Sequence, residues 1–248
     1  IMASTSETGH AKNVANFEKL IAETSAFGET FNPSKATLKL TALNTQLATA
    51  KAAIAAVNSA EPAYKNAVSA RDAAFAPLGK LITRINNALK ASDTTVQEDE
   101  SALTLVRKLQ GRRATAKKTE DEKKALAAEG KEVVEISSSQ MSFDSRLDNF
   151  DKLIKLLSSI PAYAPNEADL KVEALTALYN DLKAKNMAVI NAETPLSTAR
   201  IARNEVLYKQ NTGIVDITVD VKNYVKSVFG ATSPQYKLIS NLKFTSYN

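Results

Sequence analysis

Apolar residues recur at spacings of three and four along nearly the whole chain, which predicts helices throughout. Val14, Phe17, Leu20 and Ile21 predict a first helix over about 12–27, stopped by Gly28 and the Asn32-Pro33-Ser34 turn, with Ser34 as N-cap of the next. Leu40, Leu43, Leu47, Ala50, Ile54 and Val57 form a heptad seam over about 36–59. A third helix is expected to open at Glu61-Pro62, where proline in the first turn costs little. Its seam runs from Tyr64, Val68 and Arg71 to Leu89, with a kink or break near Pro77 and Gly79. Asp93 to Thr95 offers a cap for a short fourth helix ending at Leu109.

The pattern then returns. Asn16 to Ile21 reads Asn-Phe-Glu-Lys-Leu-Ile and Asn149 to Ile154 reads Asn-Phe-Asp-Lys-Leu-Ile. Asn191 answers Asn58, Pro195 answers Pro62 and Gly213 answers Gly79. The second seam is Val172, Leu175, Tyr179, Leu182, Asn186 and Val189, so Asn186 stands where the first copy has Ile54. A polar residue on a seam costs stability and fixes register or partner choice.

The expected fold is therefore all-α: two tandem homologous bundles, each of three main antiparallel helices and a short closing element. The expected division is a lead-in at 1–11, a first repeat at 12–109, a charged linker with a helix at 110–144, and a second repeat at 145–248. Phe17 and Phe150 are the expected core anchors.

Composition narrows the chemistry. The 248 residues contain no cysteine and no tryptophan, which removes disulfides, thiolate catalysis and cysteine-based metal sites. His10 is the single histidine, so histidine triads and HExxH zinc sites are excluded. No phosphate-cradling glycine loop occurs. The acidic cluster Glu98, Asp99 and Glu100 reads as first-turn charge favoured by the helix dipole rather than as a metal site. Arg200, Arg203, Asn204 and Glu205, with Arg71 and Asp72 in the first copy, suggest either an anion pocket between helices or, preferably, ion pairs on a solvated or rim face. No catalytic residue, cofactor, metal or small-molecule substrate is indicated, and an enzyme is not expected.

The net charge of +5 is spread thinly: residues 13–109 carry 11 basic and 9 acidic side chains, residues 145–244 carry 13 and 10, and 110–144 carry 7 and 7. The one dense basic run is Arg107, Lys108, Arg112, Arg113, Lys117 and Lys118, followed by Glu120, Asp121 and Glu122. Such a run can contact the phosphates of nucleic acid by releasing counterions together, although it lacks interleaved aromatics. No apolar run is long enough to span a membrane and the N-terminus is polar, which together give a cytoplasmic expectation.

The stretches Gln140 to Leu157, Ala199 to Tyr208 and Val225 to Lys237 resemble a group of uncharacterised, internally duplicated helical proteins from Bacteroidota. The resemblance implies no activity, cofactor or site. The leading expectation is a non-catalytic structural or interaction protein whose duplicated surfaces bind a protein partner or a second copy. A nucleic-acid-binding adaptor using the basic run is the alternative, and a membrane-active helical protein ranks third.

Overall fold

The computed structural model describes residues 9–112, 119–128 and 141–246, and every regular element among them is helical. The α-helices are α1 (His10–Ala26), α2 (Leu40–Phe75), α3 (Leu78–Lys90), α4 (Val96–Leu109), α5 (Glu120–Ala128), α6 (Phe143–Ser158), α7 (Val172–Tyr208), α8 (Ile214–Phe229) and α9 (Pro234–Ser240). Single 3-10 turns at Ala36–Leu38 and Ala168–Leu170 precede the two long helices.

Two expectations about helix ends are corrected. Pro62 does not open a helix but lies inside α2, as Pro195 lies inside α7. A proline without an N–H withdraws the bond that the carbonyl four residues earlier would receive, Asn58 or Asn191, and such a residue inside a helix costs about 3 kcal/mol. The helix nevertheless continues through it, with Val57 and Phe75 buried in α2 and Val189 and Leu196 buried on either side of Pro195 in α7. The chain breaks at Ala76-Pro77 instead, where Pro77 precedes α3. Ser34 does not cap α2 either, because the 3-10 turn intervenes and α2 begins at Leu40.

Other caps form as the residue types predict. Thr95 accepts from the Glu98 N–H and Glu98 returns a bond to the Thr95 N–H at 2.8 Å, a complete capping box. Asp99 accepts from the Thr94 hydroxyl at 2.9 Å, so the acidic cluster organises a helix start. Ser142 caps α6 by accepting from the Ser145 N–H.

The compact units divide the chain differently from consecutive bundles at 12–109 and 145–248. One unit takes the chain up to Lys65 together with Asn191 onward, and the other takes Asn66–Ile190. One unit is thus built from the two ends of the chain and the other from its middle. The long helices allow this: 36 residues at 1.5 Å rise extend about 54 Å, against about 25 Å for the 17 residues of α1. Each long helix therefore contributes residues to both units.

In the first unit, Phe17 and Leu20 of α1 are buried with Leu43, Leu47 and Ala50 of α2, Leu207 of α7, Val221 and Val225 of α8 and Ile239 of α9. In the second, Phe150 and Leu153 of α6 are buried with Phe75 of α2, Ile82 and Ile85 of α3, Val106 of α4 and Leu182 of α7. Phe17 and Phe150 are both fully buried. No helix is long and apolar enough to cross a membrane among the described residues.

Candidate functional site

Aligning the recurrent hexapeptide sets His10, Ala11 and Asn13 against Phe143, Asp144 and Arg146. Counting from the starts of α2 and α7 sets Ile54 against Asn186 and Arg71 against Arg203. In both units these residues meet where a short helix begins beside a long one, and the two constellations differ.

In the second unit the constellation is filled. Phe143, the first residue of α6, meets Phe75, the last of α2, edge to face with centroids 4.9 Å apart. Arg71, one turn before Phe75, places its guanidinium carbon 3.8 Å from the Phe143 centroid. Arg146 sits 5.0 Å from the Phe75 ring and donates through Nη2 to the Phe75 carbonyl at 3.0 Å. Both cations lie against aromatic faces, an attraction that replaces part of their hydration. Burial lowers the Arg146 pKa below the ordinary arginine value. The Nε atoms of Arg71 and Arg146 are buried without a hydrogen-bond partner, while Arg71 Nε lies 3.7 Å from Asp72 Oδ1.

A polar bridge completes it. Arg71 Nη1 donates to Asn186 Oδ1 at 3.4 Å, and Asn186 Nδ2 donates to Asp144 Oδ1 at 2.8 Å. Asn186 is only 7 % exposed, and this bridge gives its amide partners on both sides, which explains a polar residue on the seam.

In the first unit the same positions surround a cavity of about 280 Å³. Ala11, Ile54 and Val57 supply its apolar wall, and His10, Lys12, Asn58 and Arg203 supply the polar one. His10 Nδ1 lies 2.7 Å from the Tyr208 hydroxyl, with ring centroids 5.6 Å apart. Tyr208 is the last residue of α7, as Phe75 is of α2. Asn13 is fully buried, donating to the Thr245 carbonyl at 2.8 Å and accepting from the Thr245 N–H at 3.0 Å. Arg203 directs Nε and Nη2 to Asn204 Oδ1 at 3.1 and 2.8 Å. Partial burial and the Arg203 charge both lower the His10 pKa, burial being the larger cause.

The expected pairing of these arginines with neighbouring acids is met in part: Arg71 pairs with exposed Asp72 at 3.7 Å and Arg200 is exposed, but Arg71 also lies on the Phe143 ring and Arg203 lines a cavity. The signal that could have found the cavity was the Ile54 and Asn186 difference together with the offset that sets Ala11 against Asp144.

The basic run lies elsewhere. Arg107 and Lys108 occupy the last turn of α4, where cations favour the helix C-terminus. Arg112 follows it, exposed, with its N–H donating to the Arg107 carbonyl at 2.8 Å. Arg113, Lys117 and Lys118 lie outside the described residues. Among the described residues no cluster of carboxylate and histidine ligands for a metal is present.

No family model, curated relative or solved structure matches this chain.

Proposed function

We propose that the protein is a non-catalytic structural or interaction protein, built by internal duplication and engaging a protein partner or a second copy through its helical surfaces. The observation that supports this reading is the exposure of apolar side chains on α7. Met187 and Ile190, one turn apart in the second unit, are 48 % and 49 % exposed, and Ile201 of the same helix in the first unit is 65 % exposed. Paired apolar side chains on a helix face are a common basis of helix-mediated recognition, and two related surfaces on one chain raise avidity through effective concentration. Mass photometry and sedimentation of the full chain test the reading. Assemblies that persist in high salt and dissolve when Met187 and Ile190 become serine are expected. A chain that stays monomeric at all concentrations and captures no protein partner would overturn it.

A second reading, a polyanion-binding adaptor, is favoured by one observation. Among the described residues, Arg107, Lys108 and Arg112 form no ion pair, which leaves three cations at one helix end for phosphates. It expects nucleic-acid binding that falls steeply with salt and weakens when Arg112 and Arg113 become alanine. No binding at low salt would remove it.

A further inference from the structure

The two constellations differ in one chemically specific way. The second unit carries a carboxylate of its own: Asp144, near the start of α6, reaches the Arg71 guanidinium through Asn186. The first unit has Ala11 in place of that carboxylate and Ile54 in place of the bridging amide, and the positions enclose the cavity. Its helix start is different too: Ser142 caps α6, whereas Gly9 offers α1 no side-chain acceptor. The cavity thus has the Arg203 guanidinium and the positive end of a 17-residue helix, with no carboxylate among its described lining residues.

We propose that this cavity binds a small organic carboxylate, its head group taking the role that Asp144 plays in the second unit and its apolar body lying on Ile54 and Val57. Arg203 retains Nη1 for the ligand while Asn204 holds its Nε and Nη2, and a guanidinium bond to a carboxylate is among the stronger polar contacts available. Asn58 is placed to donate an amide bond. The volume equals about nine waters of liquid at ≈30 Å³ each, more than a bare ion needs and suited to a short aliphatic acid. An apolar wall beside the Arg203 guanidinium selects a carboxylate with a hydrocarbon tail over a fully hydrated anion.

The test uses the full chain and its single histidine, which lines the cavity. Sodium butyrate is titrated at constant ionic strength while the His10 ring protons are followed by NMR, with butyramide as the neutral isostere and inorganic phosphate as the tail-less anion. Saturable shifts with butyrate, none with butyramide and weaker ones with phosphate are expected. Arg203→Ala should weaken butyrate at least about tenfold. The double variant Ala11→Asp with Ile54→Asn rebuilds the internal carboxylate and should abolish butyrate binding. Its new acid lies in the first turn of α1, a position the helix dipole favours, and circular dichroism checks that it folds. Equal responses to butyrate and butyramide, phosphate binding as tight as butyrate, or full butyrate affinity in the folded double variant would each overturn the proposal.

Discussion

Asn186 Nδ2 donates to Asp144 Oδ1 at 2.8 Å, and through this bond an exposed carboxylate at the start of α6 is tied to the Arg71 guanidinium lying on Phe143. Asn186→Ile, which installs the first unit's residue, removes both bonds and leaves Arg71 facing an apolar side chain. A loss of about 1–2 kcal/mol in urea denaturation is expected. Combining it with Asp144→Ala should cost less than the sum of the two single changes, because both delete the same bridge. Strict additivity would show that the bridge contributes nothing.

Phe17 is fully buried among residues of α1, α2, α7, α8 and α9. Phe17→Ala should destabilise the first unit by about 3–5 kcal/mol. Hydrogen exchange then distinguishes the exchanged units from consecutive bundles: protection should fall in α1, α8 and α9, while α3, α4 and α6 keep theirs. Loss centred on α3 and α4 would contradict the division.

Gly213 and Gly79 correspond in sequence but not in surroundings. A Cβ on Gly213 would lie 2.8 Å from the Leu207 carbonyl oxygen and from the Tyr208 and Lys209 amide nitrogens, whereas one on Gly79 meets nothing within 4 Å. Backbone cannot move aside as a side-chain tip can. Gly213→Ala should therefore cost about 1–3 kcal/mol, while Gly79→Ala, in helical backbone, should be neutral or stabilise by about 0.5–1 kcal/mol. Thermal melts of the two variants check the contrast.

His10 is held below the ordinary value of 6.5 by burial and by Arg203. A base with a depressed pKa in the folded state takes up its proton more readily when unfolded. Its contribution to stability is therefore complete above about pH 6.5, declines as pH falls below that value, and levels off beneath the folded pKa. The histidine NMR titration should show a midpoint below 6.5. In the His10→Gln variant this component of the stability profile should disappear, and an unchanged profile would assign it to other groups.

Local structure was legible in the residue pattern. The three-four spacing identified the helices, Phe17 and Phe150 were recognisable as core anchors, and Thr95 acts as a cap because its hydroxyl accepts an N–H bond of the first turn. Pro62 was misread because a proline in a first turn and one inside a helix look alike in sequence. The structure decides between them, because α2 runs unbroken from Leu40 to Phe75.

The chain by itself determined that its helices are amphipathic, that Asn16 to Ile21 is echoed at Asn149 to Ile154, and that Asn186 stands on one seam where Ile54 stands on the other. Tertiary structure alone decided which halves pack together, because an apolar face has the same periodicity whichever partner buries it. It also decided that Ala11, Ile54 and Arg203 share a cavity while Asp144, Asn186 and Arg71 share a bridge. Those residues are far apart along the chain, and only the pairing of a short helix with the distant end of a long one brings them within reach.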